Sequence, residues 1–374
     1  MNNGKLIVAS SSECSDLLYI TNFMAPDPFI FFSSNKIKGV VVTALELKRA
    51  RSECKKDITV FDRDEVISKS SPDKDIKMVL KGLVEKFPAD TWEVPATFPL
   101  LYAEYLKSLG VSLKCVDGEF FPKRQTKSQE ELDLIFNSVK LTEKTMHRAE
   151  DILRESTIRN DGVLLWNGDV LTSEIIKREI NLEAVRCDAI AESTIVACGK
   201  HSSEPHNTGS GPIVANQPIV IDIFPRHEKS GYWGDMTRTF VKGKASEMVK
   251  KAYDAVRDAR DKAKSEIKAG ALPSVVHNGT MDILTERGFK TGKDDNGNYY
   301  GFFHGLGHGV GLDIHEKPGV NALNNQPFKV NDVVTVEPGV YYPEWGGIRL
   351  EDLVVVKENG IDCFTEYDNI LEID

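Results

Sequence analysis

The sequence has few cysteines, no excess of positive charge and no long apolar run. Its six cysteines, at positions 14, 54, 115, 187, 198 and 363, are scattered and form no Cys-x-x-Cys pair. This pattern is typical of free thiols in a reducing compartment, so we expect a cytoplasmic protein without a disulfide framework. Apolar runs fall short of the ~18 residues that span a bilayer. The first twelve residues hold only a short apolar stretch, too brief for a signal-peptide core.

Acidic residues outnumber basic ones by 57 to 47, which gives a net charge of -10 at pH 7. This charge disfavours nucleic acid and anionic membrane surfaces as main partners. Hydrophobic residues make up 41% of the 374 residues and charged residues 28%, as in ordinary soluble globular proteins. A chain of this length can bury a sizeable core and divide into two or three domains.

The first 120 residues alternate short apolar runs with helix-like stretches. The apolar runs predict strands at residues 17–20, 29–32, 39–42 and 58–61, and the remaining periodicity predicts helices at 73–86 and 99–109. Such alternation favours a small α/β domain. A boundary is expected near residues 121–124, which predicts domains at residues 1–124 and 125–374.

The rest of the chain predicts a structural duplication. Ser128 and Glu131 have the spacing of a capping box, which predicts a helix that runs to about residue 154. The remaining predicted elements are a helix at 172–189, strands at 193–198, 219–224 and 236–241, helices at 245–269 and 273–287, and strands at 333–336, 347–356 and 364–371. Two helices followed by strands therefore occur twice in the same order.

Two aspartates interrupt apolar, strand-like runs. Asp222 lies in Val-Ile-Asp-Ile-Phe, and Asp235 precedes the run that begins at Met236. An ionised side chain in such a run is costly unless it is paired or binds a metal. The segment between them contains Gly231 and turn-forming residues, so a hairpin would place the two carboxylates side by side.

Three further residues have similar settings. His308 is flanked by glycines, which leave its imidazole uncrowded, and Glu337 and Glu351 adjoin apolar strands. Each alone has an ordinary explanation as a turn former, a cap or part of a solvated strand face. Together with the two aspartates they provide four carboxylates and one imidazole, which suit two divalent ions that share bridging carboxylates and a water.

Residues 221–239, 303–318, 336–339 and 347–352 resemble the metal-binding segments of the metallopeptidases with the pita-bread fold. That family includes methionine aminopeptidase, aminopeptidase P and Xaa-Pro dipeptidase (prolidase). The resemblance covers roughly residues 125–374, and the N-terminal part resembles, more weakly, the small domain of prolidases, aminopeptidase P and creatinase. It implies an α+β protein with a C-terminal pita-bread catalytic domain and a smaller N-terminal creatinase-like α/β domain.

The resemblance also implies roles for individual residues. The implied ligands of two divalent metal ions, manganese first and cobalt, zinc or iron as alternatives, are Asp222, Asp235, His308, Glu337 and Glu351. The implied catalytic residues are His206 and His315, which face the substrate, Glu337 as proton shuttle, and Arg349 and His304, which match the aminopeptidase P and prolidase branches. Thr237 would orient a metal ligand. For His304, a packing role is an equal alternative to a catalytic role. His147, His201, His227 and His277 lie outside the matched positions.

The implied activity is hydrolysis of Xaa-Pro bonds by a metal-bridging hydroxide, as in Xaa-Pro dipeptidase. The implied partner is a small peptide with proline after the scissile bond, and the family resemblance suggests a homodimer. Two departures leave the substrate open to longer Xaa-Pro peptides or to non-prolyl peptides. Gly319 stands where many prolidases carry an arginine, and Glu192 stands where several carry a phenylalanine. A non-catalytic pita-bread binding protein or a metal-free creatinase-like enzyme is disfavoured, because all five ligand types are present.

Overall fold

The computed structural model describes residues 2–67 and 75–374, and the chain forms two compact units, Met1–Arg124 and Gln125–Asp374. The first unit contains strands β1 (Asn3–Ala9), β2 (Phe29–Ser34), β3 (Ile37–Val42), β4 (Thr59–Asp62), β5 (Thr91–Pro95) and β6 (Leu113–Val116). Its helices are α1 (Ser15–Thr21), α2 (Leu47–Glu53), α3 (Arg63–Val66), α4 (Ile76–Lys86) and α5 (Leu100–Ser108). The strands form one mixed sheet in the order β4-β3-β2-β1-β5-β6.

One strand predicted in this unit is wrong. Residues 17–20 lie in helix α1, whose buried positions include Ser15, Leu18 and Thr21. A spacing of three residues places these side chains on one helical face, so the apolar run covers the sheet instead of joining it. The other predicted elements match β2, β3, β4, α4 and α5, although residues 73 and 74 of the predicted helix lie outside the described residues.

The second unit contains the elements that carry the candidate site. Its helices are α6 (Gln129–Glu155), α7 (Ser173–Arg186), α8 (Glu247–Glu266) and α9 (Pro273–Glu286). Its strands are β7 (Thr157–Ile158), β8 (Leu164–Trp166), β9 (Asp169–Val170), β10 (Ala189–Ile190), β11 (Ile195–Cys198), β12 (Ile219–Ile223), β13 (Arg226–His227), β14 (Met236–Lys242), β15 (Gly292–Lys293), β16 (Tyr299–Tyr300), β17 (Gly307–Gly309), β18 (Glu316–Val320), β19 (Val333–Val336), β20 (Gly339–Tyr342), β21 (Gly346–Arg349), β22 (Asp352–Lys357), β23 (Gly360–Cys363) and β24 (Glu372–Ile373).

The second unit repeats one arrangement, which confirms the predicted order of two helices followed by strands. Helices α6 and α7 pack through residues such as Met146 and Ile176 against the sheet β11-β12-β14-β24. Helices α8 and α9 pack through Val256 and Leu284 against the sheet β18-β17-β19-β22-β23. The hairpin β20-β21 lies beside these sheets. Burial of one apolar face of each sheet under its helix pair leaves the other faces and strand ends available for a site.

Local signals set the start of α6. The Ser128 side chain accepts a hydrogen bond from the Glu131 backbone, and the Glu131 carboxylate accepts one from the Ser128 backbone, as the predicted capping box requires.

The strand predicted at residues 347–356 is divided in the structure into β21 and β22, so that Leu350 and Glu351 lie between two strands.

The predicted strand at 364–371 is wrong. Only its two ends hydrogen-bond to strands, Phe364 to Leu353 and Leu371 to Val241, whereas its middle is bound by side chains from other elements. The Glu366 N–H donates to the Glu143 carboxylate, and the Tyr367 carbonyl accepts from the Arg238 guanidinium. Since these partners satisfy the backbone, the segment remains irregular before the short strand β24.

Candidate metal centre

Five side chains from separate elements line one cavity of about 590 Å³ in the second unit. Asp222 lies on β12, Asp235 precedes β14, His308 is the middle residue of β17, Glu337 follows β19, and Glu351 lies between β21 and β22. The antiparallel pairing of β12 with β14 places Asp222 opposite Thr237, two residues from Asp235. The structure therefore brings together all five residues that the sequence singles out as ligand candidates.

Their donor atoms are close enough to share cations. One ligand atom from each of Asp235, His308 and Glu351 lies within 4.8 Å of the others. The His308 Nε2 atom is 3.5 Å from Asp235 Oδ2 and 3.4 Å from Glu337 Oε1. Carboxylate oxygens and a neutral imidazole at such spacing form a donor set typical of divalent transition metals.

Burial and mutual repulsion shift the pKa values of these groups. Burial, then the charges of Glu351, Asp222 and Glu337, raise the pKa of Asp235 well above its ordinary value. Burial, then Glu337 and Asp222, raise the pKa of Glu351 in the same direction. Burial is also the main cause that raises the pKa of Glu337 to about 8. The described residues around these acids therefore supply too little positive charge for all of them to be ionised together readily.

The pKa of His308 shifts in the opposite direction, downward. Burial, and to a lesser extent the neighbouring His315, lower the pKa of His308 to about 4. The imidazole is therefore neutral near pH 7, which is the protonation state that binds metals.

One acceptor atom fits a bound cation directly. Asp222 Oδ1 is buried and has no hydrogen-bond partner among the described residues, whereas Asp222 Oδ2 accepts from Arg349 Nη2 at 2.8 Å. An orphaned carboxylate oxygen in the interior is costly unless a cation or an ordered water binds it. The donor set and this orphaned oxygen both fit a bound divalent metal.

Arg349 connects the acids to the surrounding strands. Besides Asp222, its guanidinium donates to Tyr341 Oη at 3.0 Å, to the Pro205 carbonyl at 3.2 Å and to Thr237 Oγ1 at 3.2 Å. The Thr237 hydroxyl in turn donates to Glu351 Oε2 at 2.8 Å. Because Arg349 and Thr237 are both buried, these bonds fix the orientation of two carboxylates that face the cavity.

The three remaining histidines of interest also line the cavity. His206 and His315 are exposed, and the His315 ring meets the His308 ring edge to face with centroids 4.4 Å apart. Burial lowers the pKa of His315, and the nearby His206 contributes in the same direction. Both imidazoles are therefore accessible from the cavity and from solvent.

His304 lies deeper and belongs to a hydrogen-bond chain. Its Nδ1 is 2.7 Å from the Gly305 carbonyl and its Nε2 is 3.0 Å from Tyr341 Oη. Burial and the Arg349 charge lower the pKa of His304 to about 3, so the ring is neutral. A neutral ring that donates from Nδ1 to Gly305 accepts at Nε2 from Tyr341, which leaves the Tyr341 oxygen to accept from Arg349.

The other histidines lie away from the cavity lining. His277 packs against Phe302, His147 packs against Tyr367, and His227 Nδ1 is 3.2 Å from the Ser230 hydroxyl. His201 lies in the 3-10 turn Gly199–Ser203.

Sequence reasoning missed Tyr341, the residue that joins Arg349 to His304. Burial raises the pKa of Tyr341 to about 12, so its hydroxyl remains protonated and can donate. Phe224 and Ile314, which form apolar walls of the cavity, were also missed.

Comparisons with known proteins place this site in a family. Residues 133–358 match the model of metallopeptidase family M24. An uncharacterized peptidase from Bacillus subtilis is 33% identical over 247 residues, which cover 65% of this chain and 65% of that protein, slightly less than two thirds of its length. A Xaa-Pro dipeptidase from Pyrococcus furiosus is 30% identical over 261 residues, or 70% of this chain and 68% of that one.

Solved structures superpose on this chain over nearly its whole length. The X-Pro aminopeptidase from Thermotoga maritima superposes with a TM-score of 0.83 and 25% identity, covering 100% of this chain and 98% of that one. The prolidase from Pyrococcus furiosus has the same fold, with a TM-score of 0.80, 24% identity and coverage of 98% and 96%. The predicted α+β class and pita-bread fold are thus confirmed. The matched segment spans more than half of the sequence, and the chain belongs to metallopeptidase family M24.

Proposed function

We propose that the second unit hydrolyses the peptide bond between an amino-terminal residue and proline, using two divalent metal ions. The convergence of four carboxylates and one neutral imidazole in a single cavity carries this proposal. The Xaa-Pro preference is supported by relatives described as a Xaa-Pro dipeptidase and an X-Pro aminopeptidase. Homodimerisation and a cytoplasmic location stay predictions from the sequence.

The ligands in this proposal are Asp222, Asp235, His308, Glu337 and Glu351. Manganese is our first choice, with cobalt, zinc or iron as alternatives, because carboxylate-rich sites accept all of these metals. A bound pair of such ions would polarise the scissile carbonyl and lower the pKa of a water toward neutrality. The orphaned Asp222 Oδ1 and the crowded carboxylates support this assignment.

The protein's own groups manage protons and charge. Glu337 accepts a proton from the attacking water and delivers it to the leaving nitrogen, which in an Xaa-Pro bond is the proline nitrogen. His206 and His315 donate hydrogen bonds to the carbonyl oxygen as it gains negative charge. Arg349 and Thr237 hold Asp222 and Glu351 in place through the bonds described above.

The substitution Glu337→Gln tests the proton-transfer role. We expect kcat for an Xaa-Pro peptide to fall by roughly 10²–10⁴-fold, because the amide preserves the shape but cannot shuttle a proton. Glu344→Gln, at an exposed position outside the cavity lining, is the matched control and should keep wild-type activity. Metal content is measured for each variant, so that loss of the ion is separated from loss of proton transfer. Unchanged hydrolysis by Glu337→Gln with full metal content would remove this role.

A further inference from the structure

His315 lies on a loop between two strands of the second unit. Residues 310–315, which we name the His315 loop, join β17 to β18, and Gly309 pairs with Glu316 where the loop closes. The His315 side chain is exposed, and among the described residues none hydrogen-bonds to its ring. The direction of the ring into the cavity therefore depends on the backbone that carries it.

We propose that Lys127 and Trp233 are positioning residues, which fix the His315 loop from outside and so keep the His315 ring beside His308 in the cavity. Lys127 acts through Glu316, and Trp233 acts directly on the loop backbone. This inference rests on the proposed function, in which His315 donates to the substrate carbonyl, and adds two residues to it.

The Glu316 carboxylate contacts the loop at two points. Its Oε2 atom accepts from the Asp313 backbone N–H at 3.4 Å. A Cβ atom at Gly311 would lie 2.5 Å from Glu316 Oε1, so only glycine leaves space for the carboxylate there. The conformation of the loop is therefore tied to the place of this one carboxylate.

A buried ammonium holds that carboxylate. Lys127 Nζ donates to Glu316 Oε1 at 2.6 Å and to the Gln125 carbonyl at 3.1 Å, and the lysine and glutamate side chains are 1% and 9% exposed. Hydrogen bonds between ionised groups are short and strong, and loss of one partner would leave a buried charge without compensation. The pair therefore allows Glu316 few alternative positions.

The backbone of Lys127 is itself fixed. Its N–H donates to the Asn331 carbonyl at 3.0 Å, and its carbonyl accepts from Asn331 Nδ2 at 3.1 Å. Lys127 also directly precedes Ser128, whose capping box sets the direction in which the chain enters α6. The lysine therefore reaches Glu316 from a rigid support.

Trp233 holds the beginning of the loop. Its backbone N–H donates to the Gly311 carbonyl at 3.0 Å, and its indole Nε1–H donates to the Leu312 carbonyl at 3.0 Å. The indole is fixed in turn, because the Arg226 guanidinium lies 6.0 Å from its ring centre and the two residues pair as a β-bridge. Trp233 lies two residues before Asp235, so one hairpin carries a proposed metal ligand and also holds this loop.

The two contacts lie on opposite sides of His315 along the chain. Trp233 binds residues 311 and 312, and Lys127 binds residue 316. Loss of either contact would let the ring move without removing any group from the cavity. Because a displacement of about 1 Å in a reacting group can cost on the order of 100-fold in rate, such movement should lower activity.

Two conservative variants of the full-length, metal-loaded protein test the inference. Trp233→Phe keeps an aromatic ring but loses the indole N–H, and Glu316→Gln keeps the shape but loses the charge. We expect each to lower kcat/KM for Ala-Pro or Ala-Pro-Ala, whichever the wild type hydrolyses faster, by about tenfold or more. Mn(II) affinity should stay within about twofold of wild type, because neither variant replaces a proposed metal donor.

Matched controls remove the same groups elsewhere in the second unit. Trp166→Phe removes an indole N–H that donates to Glu155 at 2.9 Å, and Glu179→Gln removes a carboxylate that pairs with Arg148 at 2.6 Å. Both residues lie outside the cavity lining. Their variants should keep kcat/KM within about twofold of wild type.

The His315→Ala background separates positioning from a general structural effect. If Trp233 and Glu316 act through the His315 ring, Trp233→Phe and Glu316→Gln should cause no further loss of kcat/KM once that ring is absent. A further loss of the same size in this background would overturn the inference. Wild-type kcat/KM in both single variants would also overturn it and leave the proposed function standing. Wild-type activity of His315→Ala would overturn the inference together with the proposed role of His315.

Hydrogen exchange of the metal-free protein gives a readout that does not depend on activity. Peptides that cover residues 310–316 should exchange about tenfold faster in Glu316→Gln and Trp233→Phe than in the wild type, because the loop opens more often. Exchange in helix α7 should not change. If no Xaa-Pro peptide is hydrolysed, the proposed function fails, and faster exchange at residues 310–316 still supports the positioning of the loop. Unchanged exchange there would overturn it.

Discussion

Arg349 shows how much of the site depends on one side chain that is not itself a metal donor. Its guanidinium donates to a carboxylate, a phenol, a backbone carbonyl and a hydroxyl, and it is 3% exposed. Only a planar group with several fixed N–H donors can satisfy four acceptors spread around it. The residue therefore positions Asp222, Tyr341 and Thr237 together.

Replacement of Arg349 by lysine tests this positioning. We expect Arg349→Lys to fold and to lose roughly 10–100-fold in metal affinity or kcat/KM, because an ammonium keeps the charge but cannot reach all four acceptors. Calorimetric titration with Mn(II) and steady-state kinetics measure the two quantities separately. Lys357→Arg is the control for an exchange between lysine and arginine, because Lys357 is a partly buried cation of β22 outside the cavity lining. Wild-type affinity and kcat/KM in Arg349→Lys would show that charge alone suffices.

At the residue scale, the sequence predicts the acids better than their supports. Asp222 and Glu351 stand out because a carboxylate beside apolar strands demands a partner. Tyr341 gives no such signal, since a tyrosine in a strand is ordinary core. Its role depends on a hydroxyl that lies 3.0 Å from both His304 Nε2 and Arg349 Nη1, and such distances arise only in the folded chain.

Strand β17 carries His308 through a crowded part of its sheet. A Cβ atom at Gly307 would lie 2.0 Å from the Thr335 carbonyl oxygen, and one at Gly309 would lie 2.4 Å from the Lys317 carbonyl oxygen. Glycine is therefore required on both sides of His308 because the strands approach so closely. The same closeness brings the imidazole within 3.4 Å of Glu337.

The substitution Gly307→Ala tests this crowding. We expect unfolding stability to fall by about 1–3 kcal/mol, as overpacking costs in well-packed interiors. Metal affinity should fall as well, because β17 must shift away from Thr335. Gly279→Ala in helix α9 is the matched control. A Cβ atom there would lie 3.5 Å from its nearest neighbour, a Glu266 carboxylate oxygen, and alanine favours a helix. Urea denaturation compares the two variants, and equal midpoints for them would contradict the packing argument.

At the scale of elements, periodicity identifies the long helices and the central strands but not the pieces that depend on distant partners. The capping box at Ser128 and Glu131 is local, so the start of α6 is predictable. Residues 17–20 form a helix because their sheet-facing side is set by tertiary packing, which overrides the strand preference of the run. Residues 364–371 remain irregular because Arg238 and Glu143, far away in sequence, bind their backbone.

For the whole molecule, the crowded acids link stability to pH when metal is absent. Glu337 has a pKa of about 8 in the folded chain against an ordinary value of 4.5, so the folded state retains a proton that the unfolded state has lost. Stability from this group is complete at low pH and is lost as pH rises through 8. His304 and His308 have lowered pKa values, so their stabilising effect is already complete above about pH 7 and does not oppose the trend.

We therefore expect the metal-free protein to lose on the order of 1 kcal/mol of unfolding free energy between pH 7 and pH 9 from Glu337 alone. The raised pKa values of Asp235 and Glu351 should add to this loss. Urea denaturation in the presence of a chelator measures the slope, and Glu337→Gln should reduce it. Saturating Mn(II) should abolish the decline, because the cations neutralise the carboxylates. A metal-free protein whose stability stays constant or rises over this interval would contradict the electrostatic account.

The division of the site between two sheets has a consequence for how the protein matures. Asp222 lies in the sheet that follows α6 and α7, and Asp235 adjoins it. His308 lies in the sheet that follows α8 and α9, and Glu337 and Glu351 adjoin it. A nascent chain whose first sheet has formed holds only two of the five donors, and one with the second sheet alone holds three. With the proposed ligand set, tight cation capture thus comes last, and metal occupancy would report that both halves of the second unit have docked.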